Sequence, residues 1–281
     1  MRRGGFLDWH ELCSTKSCMV VSWLNDAFAA GCSKAKWPDE SFLSEHDVNY
    51  DSNNDSGFVN DSASANVAEG VYRRQRSWMV EHQIRRRGIR DQRVLDAMNV
   101  VPRHLFVPDA LVNSAYDDGP LPIGFDQTIS QPYIVALMTE LARPESGDRV
   151  LDVGTGCGYQ AAVLAQLVQD VYSLEIIQEL ASQAEHRLKG LGCDNVHVRH
   201  GDGYRGWPEK APFDIVLVAA APDHVPQPLI DQLALGGRMV IPVGRSSQEL
   251  KLIEKDCSGG VNVSQVAGVR FVPMTGEAEG K

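Results

Sequence analysis

Along the second half of the chain, short apolar runs alternate with segments whose apolar residues recur at helical spacing. Residues 149–153, 170–174, 196–199 and 213–218 are brief runs rich in Val, Ile, Leu and Tyr, as buried strands are. Between the first three lie "YQAAVLAQLV" and "IQELASQAEHRLKGL", each apolar on one helical face. "PQPLIDQLA" follows the fourth run, and "GGRMVIPV" supplies a fifth strand. This rhythm predicts an α/β fold with a mostly parallel central sheet and helices on both faces. Two later runs, near 249–255 and 266–272, are close enough in sequence to predict a C-terminal antiparallel hairpin.

Upstream, "SWMVEHQIRRRGI" predicts a helix stopped at Gly88. "DQRVLDAMNVV" predicts a second, with Asp91 as N-cap, Val94, Leu95 and Met98 on one face, and Pro102 beyond its end. "LPIGFDQTISQPY", residues 121–133, is broken by two prolines and a glycine and reads as a loop. It carries Thr128 and Ser130 on either side of apolar Ile129. "QPYIVALMTELA" then reads as a helix with Pro132 in its first turn.

The first 70 residues differ. They hold five Lys/Arg against eleven Asp/Glu, and "HDVNYDSNNDSGFVNDSASAN" has few large apolar groups. Such a stretch cannot bury enough surface to offset its ordering entropy, so 38–70 is expected to be disordered, with a short helix within 6–30. The expected organisation is a low-complexity extension over 1–70, a folded α/β domain over 71–276 and a tail over 277–281.

A formal net charge of −10 makes nucleic acid an unexpected partner. No apolar run is long enough to span a bilayer. Cys13, Cys18, Cys32, Cys157, Cys193 and Cys257 form no disulfide or CxxC framework, which favours a reducing cytoplasm. The spacing of His10 with the first three cysteines fits no standard zinc pattern, and no metal is expected. A monomer is the default expectation.

"VLDVGTGCGYQAA" is a strand, a glycine loop and a helix start. Gly154, Gly156 and Gly158 allow a sharp turn and close approach to a ligand. A dinucleotide fingerprint would want a small residue where bulky Tyr159 stands. The G-x-G-x-G spacing after Asp152, with Thr155 inside it, instead suits a ligand without a pyrophosphate, such as S-adenosylmethionine with its ammonium. Glu175 ends the second strand about 20 residues on, where a carboxylate takes both ribose hydroxyls. Asp202 and Gly203 of "HGDG" follow the third strand and are expected beside the adenine. The blander reading is a tight turn and a solvated helix cap. Cys157 reads as a small loop residue, and His104 as surface or satisfied core.

Several segments stand in an order that resembles the bacterial protein-L-isoaspartate (D-aspartate) O-methyltransferases. They are "VPRHLFVP", "LPIGFDQTISQPYIVALMTEL", "VLDVGTGCGYQAAVLA", "RHGDGYRGW", "FDIVLVAAAPDHVP", "GGRMVIPVG" and "VRFVPM", covering roughly 75–275. The resemblance implies a Rossmann-like S-adenosylmethionine-dependent methyltransferase fold. It implies methylation of the free α-carboxylate of isoaspartyl residues in damaged proteins and peptides, followed by a succinimide. It also implies that the 121–133 loop covers the methyl donor and that Ser130 is an active-site residue; Thr128 and Ser130, as neutral hydroxyl donors, are suited to orient a carboxylate there and are the expected catalytic residues. Without the resemblance, Ser130 could equally cap the helix at Pro132. Asp126, where relatives commonly have glycine, and Ala219, where many have threonine, depart from the family pattern. The family does not usually carry a segment like 1–70, and Met79 stands where a relative could begin. Within that segment, Asp51, Asp55 and Asp61 precede small residues, and one or another of them is expected, if flexible, to isomerise and become a substrate of this same enzyme. The rival readings are a methyltransferase for another acceptor and a cofactor-binding homologue without catalysis.

Overall fold

The structure, a computed structural model, describes residues 61–280. The helix expected within 6–30, the expected disorder over 38–60, and Asp51 and Asp55 lie outside the described residues. The last ten residues of the expected disordered stretch are helical instead. Helix α1 runs Asp61–Met79, with Asp61 as its first residue. Its C-terminal half has reason to be ordered. Arg76 is buried, donates to the Asn99 carbonyl at 2.7 Å, and Tyr72 stacks on His104 with ring centroids 4.1 Å apart. One π-helical turn and a 3₁₀ turn carry the chain to Gly88, whose φ of +108° ends it as the sequence predicts. Helix α2, Gln92–Val100, starts where Asp91 accepts the Arg93 amide at 2.9 Å.

Residues 121–133 are not an irregular loop. Strands β1 (Leu121–Gly124) and β2 (Gln127–Ile129) form a hairpin around Phe125 and Asp126. Both turn residues have positive φ, +52° and +57°, the backbone of a type I′ turn built without its usual Asn-Gly or Asp-Gly pair. That unusual turn chemistry is why the pattern reads as a connector. Helix α3, Pro132–Ala142, follows with Pro132 in its first turn.

The main sheet then alternates as predicted: β3 (Arg149–Val153), α4 (Tyr159–Ala165), β4 (Asp170–Glu175), α5 (Gln178–Gly190), β5 (Val196–His200), β6 (Phe213–Val218), α6 (Gln227–Asp231) and β7 (Leu233–Val243). Strands β8 (Gln248–Lys255) and β9 (Val261–Val269) complete it, in the order β5-β4-β3-β6-β7-β8-β9. The first five are parallel, and β7–β8 and β8–β9 are antiparallel. The C-terminal hairpin is present, but its second strand lies earlier than 266–272. Asp256 accepts the Ser258 and Gly260 amides, each at 2.8 Å, so the chain reverses at once and β9 begins at Val261. Residues 272–274 leave the sheet and pair with Ala221 instead.

Alternate residues of each central strand enter two cores. Val150, Val171, Ile215 and Val240 pack with α2, α3, α4 and the Ala184–Leu188 side of α5. Leu151, Leu174, Val216 and Met239 pack under the shorter α6, Tyr204, Met274 and Ala278. The 277–281 stretch, expected as a tail, is folded back as far as it is described: Ala278 is buried and the Glu277 amide donates to Asp202 at 2.9 Å. No described helix is long and apolar enough to cross a membrane.

Candidate active site

The strand order reverses beside β3, and the carboxyl ends of β3, β4, β5 and β6 open onto one cleft. The loop after β3 forms its floor. The Gly154 amide donates to Leu174 at 2.8 Å, and Gly154, at φ +93°, faces Ala219 so closely that an added Cβ would lie 3.4 Å from the alanine Cβ. The Glu175 side chain closes one wall. It is buried, and its two oxygens accept the Gly156 amide at 2.7 Å and the Ile177 amide at 3.0 Å. A carboxylate offers about four acceptor positions, so Glu175 can still receive hydroxyl donors from the cleft. Gly203 sits where a Cβ would come within 2.4 Å of Val153 Cγ1, so the backbone reaches the cleft only without a side chain.

Gly154, Thr155, Gly156, Glu175, Gly203, Thr128 and Ser130 all line this cleft, as the sequence places them. Three expected residues do not. Gly158, at φ +93°, packs α4 on α5: a Cβ would meet Leu188 Cδ1 at 3.1 Å. Asp202 is turned away, accepting the Tyr204 and Glu277 amides, each at 2.9 Å. Asp152 lies behind the loop, fully buried. Its Oδ2 accepts Ser173 Oγ at 2.6 Å, Ser173 in turn meets Thr155 Oγ1 at 2.6 Å, and Oδ1 has no hydrogen-bond partner. Burial, opposed by the Ser173 bond and reinforced by the Glu175 charge, pushes the Asp152 carboxyl up to about 7. Strand position alone put these three at the right end of the sheet but could not show which way the Asp152 and Asp202 side chains turn, or that Gly158 packs α4 on α5.

A second, wider cleft adjoins the first. Arg87, Gln131, Tyr133, Arg245 and Phe271 line it. Arg87 lies 3.7 Å over the Tyr133 ring and pairs with Asp118 at 3.1 Å, so one residue of the "RRRG" run belongs to a site. The two clefts share Thr128, Ser130, Ala219, Val272, Pro273 and Met274. The last three were legible only as part of "VRFVPM"; their pairing with Ala221 is what delivers them. Ser130 does not cap α3: the N-cap is Gln131, without a side-chain cap bond. Neither the Ser130 nor the Thr128 hydroxyl has a hydrogen-bond partner among the described residues. Asp126 is exposed at the hairpin tip and lines neither cleft. Cys157 lines the first cleft, its thiol pushed up by burial. His104 is satisfied core, bonded to Tyr116 Oη at 2.7 Å and lowered to about 4 by burial and the Arg76 charge. His200 bonds the Ile176 carbonyl at 3.1 Å and does not line the cleft. No group of three or more metal-ligating side chains occurs among the described residues.

A glycine loop at a topological switch point and a buried acid at the end of the next strand define a Rossmann-like S-adenosylmethionine-dependent methyltransferase. The residues fit that cofactor: Glu175 keeps acceptor capacity toward the cleft, and Gly203 leaves the wall bare. The chain belongs to the protein-L-isoaspartate(D-aspartate) O-methyltransferase family, whose profile matches residues 74–279. It is 55% identical over 205 residues to a protein-L-isoaspartate O-methyltransferase of a Picosynechococcus species, covering 73% of this chain and 92% of the relative. It is 59% identical over 189 residues to a protein-L-isoaspartate O-methyltransferase 2 of a Polaromonas species, covering 66% and 90%. Among solved structures, a protein-L-isoaspartate O-methyltransferase superposes with a TM-score of 0.67 at 29% identity, over 73% of this chain and 67% of that one. A Plasmodium falciparum chain assigned to the same enzyme group and solved with S-adenosyl-L-homocysteine gives 0.63 at 26% identity, over 71% and 98%.

Proposed function

We propose that this enzyme methylates the free α-carboxylate of L-isoaspartyl residues in damaged proteins and peptides, and so starts their repair through a succinimide. One observation carries the reading: a cleft fitted to the cofactor meets a wider groove at two unengaged hydroxyls, Thr128 and Ser130. S-adenosylmethionine, when bound, supplies an electrophilic methyl group on a sulfonium.

The chain's own part is binding and alignment. With the cofactor bound, Glu175 would receive the ribose hydroxyls, and the Gly154–Gly156 turn would let the backbone approach it. The acceptor carboxylate has an ordinary pKa near about 4, so at neutral pH it is already a nucleophile and needs no general base. Ser130 and Thr128 donate to it and fix one oxygen toward the cofactor cleft. Neutral hydroxyls orient an anion with weaker bonds than a guanidinium would make, which leaves its nucleophilicity intact. Ile129 is buried and holds the hairpin down over the junction, keeping water out. Asp202 has a supporting role, because its bond to Glu277 anchors the segment that brings Met274 and Thr275 to the cleft. The groove is open enough for a polypeptide, and Arg87 at its side can meet acidic flanking residues.

The test is methanol release from an isoaspartyl peptide, with the matched aspartyl peptide as control. Turnover of the isoaspartyl form alone supports the reading. Turnover of neither favours a different acceptor or a non-catalytic homologue.

A further inference from the structure

Arg103 is the largest side chain that is fully buried in the described chain, and no carboxylate pairs with it among the described residues. The 3₁₀ turn Arg103–Phe106 of "VPRHLFVP" puts Arg103 and Phe106 on one inward face, three residues apart. Its Nε donates to the Ala115 carbonyl at 2.7 Å, and Nη2 donates to the Ser130 carbonyl at 2.9 Å. The guanidinium carbon lies 4.9 Å from the centroid of Tyr159, a cleft residue, and Nη1 is buried without a hydrogen-bond partner. The titratable groups that face it are Tyr116, Cys157 of the glycine loop and Tyr159 of α4. Burial raises the pKa of all three, so each stays protonated and none neutralises the charge at ordinary pH.

Burying a cation among two carbonyls, the Tyr159 side chain and no carboxylate of the described residues is costly, and a neutral side chain of similar size would pack here more cheaply. A low-polarity setting also lets an uncompensated charge act strongly on its surroundings. The groups that Arg103 holds, Ser130 and Tyr159, belong to the cleft where the two grooves join.

Resting on the function proposed above, we propose that Arg103 is a positioning residue for the acceptor. Its fork fixes the Ser130 backbone and thereby aims the Ser130 hydroxyl. Its charge favours a carboxylate at the junction from behind the backbone, without touching it. The acceptor is held by field and by hydroxyls, and its nucleophilic oxygen stays free of a direct ion pair.

The experiment uses the full chain, an isoaspartyl peptide and S-adenosylhomocysteine. Arg103→Met removes the charge and keeps most of the volume. It is expected to raise the peptide KM by about tenfold, the effect of losing one moderate electrostatic interaction, and to move the acid limb of kcat to higher pH, because the bound carboxyl loses its cationic neighbour. Affinity for S-adenosylhomocysteine is expected to hold. Arg103→Lys keeps the charge and loses the fork: its acid limb should match the wild type while kcat falls. Wild-type turnover with an Arg103→Met variant of unchanged KM and acid limb overturns the inference. Equal loss of peptide and S-adenosylhomocysteine affinity in that variant overturns it too, as a packing role. Should Arg103→Met not fold, wild-type kcat in Arg103→Lys contradicts the fork's role. Wild-type protein that turns over no isoaspartyl peptide instead overturns the function reading, and this inference with it.

Discussion

The Glu175 carboxylate holds the Gly156 amide at 2.7 Å, so the residue that ends β4 also sets the shape of the loop that follows β3. Binding and loop geometry are therefore one property here. Glu175→Gln keeps the size but loses the charge and one acceptor oxygen. The expected result is a loss of about tenfold to a hundredfold in S-adenosylhomocysteine affinity, as for a hydrogen bond to a charged group. Calorimetric titration measures it, and unchanged affinity would remove Glu175 as an anchor.

Gly158 lies beside that loop but serves packing. Gly158→Ala forces a side chain into a positive-φ backbone and against Leu188. It should destabilise the fold by about 1–3 kcal/mol. The folded fraction should bind S-adenosylhomocysteine as the wild type does. Urea unfolding and a titration on the same sample separate the two; a selective loss of binding would return Gly158 to the cofactor site.

Asp152 predicts a pH dependence of stability. Its carboxyl is raised to about 7 in the folded chain, against 3.8 for the ordinary group. The folded state then holds a proton that the unfolded chain releases. The stabilisation is fully present below about pH 4 and is lost as pH rises through about 7. At about 1.4 kcal/mol for each pH unit, the effect has an upper limit of about 4–5 kcal/mol. Asp152→Asn should flatten this slope, so that its urea midpoint relative to wild type is higher at pH 8 than at pH 5. An equal difference at both pH values would show that Asp152 carries no such proton.

Asp126 occupies a left-handed turn position that glycine adopts without steric cost. Asp126→Gly should therefore stabilise the protein by about 0.5–1 kcal/mol, less than the full left-handed penalty because glycine also frees the unfolded chain. Thermal unfolding reads the sign, and a lowered midpoint would mean that the aspartate side chain supports the turn.

The parallel core was readable because each buried strand is a short apolar run and each helix keeps its 3.6-residue period. Val150 and Leu151 show why the order of layers follows: adjacent residues must enter opposite cores. The hairpin at 121–129 was hidden because Phe125 and Asp126 are not the residues that a two-residue turn usually shows. The early start of β9 was hidden because Asp256 folds the turn through its own side chain, a local bond that hydrophobic pattern does not register. At the site, the strand ends located Glu175 and Gly203, but side-chain direction at Asp152 and Asp202 depends on partners distant in sequence or late in the chain, Ser173 and Glu277. Arg103 was invisible as a functional candidate, since nothing in "VPRHLFVP" announces that its guanidinium reaches the carbonyl of Ser130.

The central claim is that Ser130 aligns the acceptor where the two clefts join. Steady-state turnover of an isoaspartyl peptide by Ser130→Ala, paired with an S-adenosylhomocysteine titration, tests it directly. Loss of one orienting hydrogen bond to an anion predicts a fall in turnover of about tenfold to a hundredfold, with cofactor affinity held within about twofold. Wild-type turnover in the variant, or a parallel loss of both quantities, would contradict it.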